Sequence, residues 1–203
     1  YAFKGCTSLS EIFIPDHATG ERDAFEGCTN LTTLSLPYKF LHEKLEGLSY
    51  ISSLHSFFPD SPLQKVTIRN AYESQQQIKS EQSSIDPGSL FHAFYDCKQL
   101  TDVEIIGTVE NVESAFQDCS LLKNVILPSS VTNLEYAFHA CISLEEITLP
   151  EQTENLNSAF WGCSNLKKVT LPKKWKPRFP RLRMLPWWKG SWIICPEKTV
   201  KRI

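Results

Sequence analysis

Apolar and polar positions along the chain follow a repeated pattern, A-F-x-x-C-x-x-L-x-x-[V/I/L]-x-[I/L], usually closed by proline. It first appears from Ala2, Phe3, Cys6 and Leu9 through Pro15, and it returns at Ala24, Ala93, Ala115, Ala137 and Ala159. The steps from Phe3 to Phe25, Phe94 to Phe116, Phe116 to Phe138 and Phe138 to Phe160 are each 22 residues. A unit that short cannot bury its own apolar residues and must stack on its neighbours, so the pattern predicts a solenoid. In each unit the section typified by Leu166-x-x-Val169-x-Leu171 alternates with period two and predicts a short strand. Stacked copies make a parallel sheet, with the Ala-Phe-x-x-Cys sections packed behind it as short helical or irregular turns. Phenylalanine forms the interior spine, and alanine lets the next coil approach closely. Pro15, Pro37, Pro128, Pro150 and Pro172 lack an N–H and end the ladder after each strand. A weaker apolar position (Val112, Leu134, Leu156) marks an extended or turn segment on the back of the coil.

The period fails between Phe25 and Phe94, which are 69 residues apart where three periods would give 66. One degenerate repeat with insertions is expected there. Ser56 to Ile68 fits the template with Phe57, Leu63, Val66 and Ile68 in register and Asp60 in the cysteine position. Tyr38 to Leu54 lengthens one coil, and the Ser/Gln-rich stretch from Asn70 to Ser89 lengthens the next as a loop poor in core formers. The single array, residues 1–203, thus divides into two regular repeats (1–37), a degenerate region (38–92), four regular repeats (93–172) and a C-terminal segment (173–203). In that segment Trp192-Ile193-Ile194-Cys195-Pro196 repeats the strand-then-proline pattern, and Trp175, Trp187 and Trp188 are placed to cover the open end of the core, as a terminal repeat must. Because the first residues already lie inside a repeat, the chain reads as a fragment of a longer protein, without a signal peptide.

Charge changes this picture in one respect. The net charge of −2 conceals 11 Lys/Arg against 22 Asp/Glu in residues 1–172 and 10 Lys/Arg against the single Glu197 in residues 173–203. A basic cap on an acidic array accounts for this, and a basic tail that meets nucleic acid or acidic lipid is the alternative. No stretch approaches the roughly 18–20 apolar residues that span a bilayer. Six of the seven cysteines (Cys6, Cys28, Cys97, Cys119, Cys141, Cys163) share one register. They read as small packing residues with no strong hydrogen-bond demand, and they say little about compartment.

Catalytic chemistry needs convergent groups, and the sequence offers none. His17, His42, His55, His92 and His139 fall on different repeat positions. Cys97 with His92, or Cys141 with His139, could be drawn as thiol and base, yet the same cysteine recurs in other repeats without a nearby histidine. There is no nucleophile elbow, phosphate loop, dinucleotide fingerprint or zinc-ligand spacing, so no enzyme, cofactor or metal site is expected. Alternation along the strands supplies the candidate site instead. With Val169 and Leu171 inward, Lys168 and Thr170 face outward on the open side of the sheet. The same offsets give Glu11 and Phe13, Thr33 and Ser35, Lys65 and Thr67, Asp102 and Glu104, Asn124 and Ile126, and Glu146 and Thr148. Solenoid curvature usually makes such a face concave, and Phe13 and Ile126 stand out as large apolar groups among polar ones.

These repeats resemble the BspA-like leucine-rich repeats, also described as the Treponema pallidum type, over about residues 1–172, and Ile194 to Val200 looks like the terminal strand of such arrays. The resemblance implies a leucine-rich repeat solenoid, α/β to mostly β, in a bacterial or protist surface or secreted protein that binds host matrix proteins or other cells. It carries no catalytic residues, and nucleic acid is not an expected partner. Besides the protein-binding array and the basic tail, a third reading makes the chain a passive spacer.

Overall fold

The computed structural model describes residues 2–18, 22–38, 40–41, 54, 58, 61–70, 88–173, 192–195 and 198–202. Each regular repeat supplies one strand: β1 (Glu11–Phe13), β2 (Thr33–Pro37), β4 (Asp102–Gly107), β5 (Asn124–Ile126), β6 (Glu146–Thr148) and β7 (Lys168–Thr170). The degenerate region supplies β3 (Lys65–Asn70), and the C-terminal segment supplies β8 (Trp192–Cys195) and β9 (Lys198–Arg202). Strands β1 to β5 run parallel in chain order, with β3 hydrogen-bonded between β2 and β4. Of the insertions on either side of it, residues 38, 40, 41, 54, 70, 88 and 89 are described, with Tyr38, Phe40, Leu41 and Leu54 buried in the core; the rest, and Trp175, Trp187 and Trp188, lie outside the described residues.

The sheet departs from a single parallel ribbon in two places. It divides between β5 and β6 into a five-stranded and a four-stranded sheet. At that step Ser143 donates its amide to the Ser120 carbonyl. At the far end β8 continues parallel to β7, as the Trp-Ile-Ile-Cys-Pro pattern predicts, but β9 folds back antiparallel onto β8. Pro37 also differs from expectation. It is the last residue of β2 and lies opposite Arg69, because the longer β3 extends the pairing past the usual stop.

Behind the strands the phenylalanines stack. Ring centroids are 5.3 Å apart for Phe3 and Phe25, 5.1 Å for Phe94 and Phe116, 5.3 Å for Phe116 and Phe138, and 5.6 Å for Phe138 and Phe160, with planes within 10° of parallel. In the degenerate coil Phe58 joins this spine, 4.8 Å from Phe25 and fully buried; Phe57, expected in register, lies outside the described residues. Ser61 then takes the cysteine position three residues on, with its amide bonded to the Phe58 carbonyl as the Cys28 amide is to Phe25; Asp60, expected there, lies outside the described residues. Leu63 follows Ser61 after two residues, where Leu31 follows Cys28 after three. The coil is one residue short at that turn, and only stacking on Phe25 sets its register.

The cysteine ladder does more than fill space. Cys28, Cys119, Cys141 and Cys163 each donate the thiol hydrogen to the carbonyl of the phenylalanine one coil earlier, at 3.2, 3.0, 3.1 and 2.9 Å. Cys6 breaks the pattern and is exposed, as no coil covers it among the described residues. Burial pushes the thiols of Cys119 and Cys141 up and that of Cys163 up to about 12.

Two further ladders form the back wall. Ser89, Asn111, Asn133 and Asn155 pair coil to coil through parallel bridges. Asn111, Asn133 and Asn155 also accept the amide two residues on through Oδ1, and Ser89 does so through Oγ. The position two after the spine phenylalanine is left-handed in the six regular repeats: Gly5 (φ 75°), Gly27 (75°), Asp96 (62°), Asp118 (63°), Ala140 (58°) and Gly162 (81°). Alanine is the misfit there, since a Cβ crowds the following carbonyl in that conformation. Ala140→Gly is expected to raise the urea midpoint by the equivalent of about 0.5–1 kcal/mol. Gly162→Ala should instead cost about 1–2 kcal/mol, as its Cβ would also come within 3.2 Å of the Ala140 Cα. Equal midpoints for the two variants would show that this turn tolerates a side chain freely.

Candidate binding face

The period-two alternation decides which side chains meet solvent. Leu34, Val66, Val103, Ile147 and Val169 point inward and are buried, so their neighbours on either side along each strand must point out. Glu11, Phe13, Lys65, Glu104, Asn124, Ile126, Glu146, Thr148 and Lys168 are exposed, and Thr33, Ser35, Thr67, Asp102 and Thr170 are half-buried. None of the outward positions expected from the repeat is inside the core.

Strand register assembles these residues into rows. On the five-stranded sheet Glu11, Thr33, Lys65, Asp102 and Asn124 lie side by side, and two residues along, Phe13, Ser35, Thr67, Glu104 and Ile126 form the second row. On the other sheet Glu146 lies beside Lys168 and Thr148 beside Thr170. The break between β5 and β6 separates the two groups, so the face is not one unbroken ladder.

Much of its charge is internally matched. Asn124 Nδ2 donates to Asp102 Oδ1 at 2.6 Å, and Lys168 Nζ lies 3.3 Å from Glu146 Oε2. The Thr101 hydroxyl, bonded to the Asp102 carboxylate at 2.6 Å, is the chief cause of that carboxyl's lowered pKa, with help from Asn124, Lys65 and Lys123. Phe13 and Ile126 remain 61 % and 60 % exposed.

Two members of the face escape the repeat template because β3 and β4 are longer than the others. Arg69 reaches across β2, places its guanidinium carbon 3.9 Å from the centroid of the Phe13 ring, pairs with Asp16 at 2.9 Å and donates to the Ile14 carbonyl. Ile106, opposite Arg69, is a third exposed apolar side chain at 49 %. The continued alternation Asp102-Val103-Glu104-Ile105-Ile106 carried the signal for Ile106, whereas nothing local to Arg69 indicates a contact with β1.

The residues with catalytic potential do not converge. Cys141 gives its thiol hydrogen to the Phe116 carbonyl, and His139 stacks on Trp161 with ring centroids 4.5 Å apart. His92 stacks between Phe91 and Tyr95, where burial lowers its pKa against the opposing charge of Glu113. Among the described residues no group of three or more His, Cys, Asp and Glu could hold a metal ion, and no helix is long and apolar enough to cross a membrane.

The sequence profile of the BspA type leucine rich repeat region matches in six copies over residues 1–84 and 91–177. No curated protein sequence matches the chain. Among solved structures, a leucine-rich repeat protein from Bacteroides ovatus is 22 % identical with a TM-score of 0.39, over 94 % of this chain and 55 % of that one. The T. pallidum leucine rich repeat protein is 21 % identical with a TM-score of 0.36, over 70 % of this chain and 60 % of that one. A leucine rich cell surface protein from Faecalibacterium prausnitzii is 20 % identical with a TM-score of 0.38, over 85 % of this chain and 69 % of that one. The chain thus spans little more than half the length of the first two.

Proposed function

The chain belongs to the family of BspA type leucine-rich repeat proteins, and from that membership we propose that it is a non-enzymatic protein-binding array that engages its partner through the open face of the sheet. The observation that carries this reading is the pair of large apolar side chains, Phe13 and Ile126, each about 60 % exposed in a row of polar residues held in register by the strands. Exposed anchors on a rigid frame can concentrate binding energy in a few residues. Scattered apolar surface residues are common, but here the strand register puts both anchors at the same level of one sheet. The proposal extends to adhesion by a bacterial surface or secreted protein, with a host matrix or cell-surface protein as partner, which the family resemblance supports.

The test is binding of the purified chain to immobilised extracellular matrix and to intact host cells. Phe13→Asp and Ile126→Asp should each weaken binding about tenfold or more, whereas Trp161→Ala on the back wall should leave it unchanged. Undiminished binding by both aspartate variants, with folding intact by circular dichroism, would remove the open face from consideration.

A further inference from the structure

Building on the open face as the binding surface, we propose that it takes an extended segment of a partner protein that carries basic residues beside its large apolar side chains. The inference rests on which charges of the face are matched and which are not. Arg69 is held by Asp16, Lys168 by Glu146, and Lys65 stands directly opposite Asp102. Glu11 and Glu104 are left, both exposed and neither in an ion pair among the described residues. Glu11 precedes Phe13 by two residues on the same face of β1, and Glu104 lies directly across from Ile126. Each apolar anchor therefore has an unmatched carboxylate beside it.

The anchors are spaced for an extended chain that crosses the strands. Phe13 and Ile126 sit at the same level of β1 and β5, four strand steps apart. That is roughly 19 Å, which an extended segment covers in about six residues. Ser35 and Thr67 lie in the row between them, small side chains that leave room for a backbone. Ile106 widens the second anchor two residues beyond Glu104. Phe13 is already pinned, because the Arg69 guanidinium lies over its ring while bonded to Asp16 and to the Ile14 carbonyl. An anchor ordered before binding loses little side-chain entropy on contact.

Selection from a random dodecapeptide phage library on the immobilised chain tests both parts of this inference. The expected enrichment is for peptides with two large apolar residues about five to seven positions apart and Lys or Arg adjacent to at least one of them. Phe13→Ala and Ile126→Ala should each reduce recovery of the selected phage about tenfold. Selection on Glu104→Lys should shift the enriched charge from basic to acidic. Peptides that depend on Phe13 and Ile126 but show no basic bias would overturn the charge assignment while leaving the open face as the binding surface. Peptides indifferent to both substitutions would overturn the open-face reading itself. Absence of any enrichment would overturn the extended-segment proposal.

Discussion

Replacing Phe116 with alanine should lower the unfolding free energy by about 3–5 kcal/mol, the usual range for removing a large aromatic from a closed core. The ring is fully buried and stacked on both sides, 5.1 Å from Phe94 and 5.3 Å from Phe138. Its loss removes two ring contacts, each worth about 0.5–1.5 kcal/mol beyond the area they bury. In a solenoid each coil is stabilised mainly by its neighbours, so the gap also weakens the interface between the coils on either side. Phe3→Ala is the internal comparison, since that ring is 38 % exposed and stacks only on Phe25 among the described residues. It should cost a small fraction of the Phe116 value. Urea denaturation followed by far-ultraviolet circular dichroism measures both, and equal losses would show that the spine is not a continuous stack.

The second large effect is a loss of stability in alkali. The Cys163 thiol is raised from 9.0 to about 12, and Cys119 and Cys141 are raised as well, all chiefly by burial. Between those values the folded chain keeps thiol protons that the unfolded chain releases. The stabilisation is therefore complete below about pH 9 and declines as pH rises through the folded values. Each thiol contributes a slope of about 1.4 kcal/mol per pH unit in that window, so the three together contribute about 4. Denaturation curves between pH 8.5 and 10.5, compared with those of a variant in which Cys119, Cys141 and Cys163 are all alanine, isolate this slope from other groups that titrate there. A variant as alkali-sensitive as the parent would show that the thiols ionise equally in both states. Alkylation should agree: Cys6 reacts in the folded chain, and the three buried thiols react only on unfolding. Because Cys141 donates to the Phe116 carbonyl, Cys141→Ser keeps a donor in place and should cost no more than Cys141→Ala. The sequence alone, which shows no acceptor, points to the opposite order. Ser61, in the cysteine position of the degenerate coil, donates to the Cys28 carbonyl at 3.1 Å, a different acceptor from the phenylalanine carbonyl that the thiols use.

What the sequence determined by itself is everything that recurs at constant spacing. Identical residues 22 positions apart in a stacked array must lie over one another, so the phenylalanine spine, the parallel strands and the inward or outward sense of each strand residue follow from periodicity. The asparagine ladder is equally legible in N-[V/L]-x-x-A-F at Asn111, Asn133 and Asn155. Gly5, Gly27 and Gly162 likewise marked the left-handed turn, yet Asp96, Asp118 and Ala140 in the same position concealed how regular it is. Tertiary structure alone decided whatever breaks the period or joins residues far apart in the chain. Phe57 and Phe58 are equivalent apolar neighbours until one of them must stack on Phe25. Arg69 lies 56 residues from Phe13, and only the register of β1, β2 and β3 brings the guanidinium over that ring. Local pattern specifies a coil because neighbouring residues share one backbone conformation. The contacts that shape the binding face depend on strand length and on long side chains crossing between coils, and neither is written at any single repeat position.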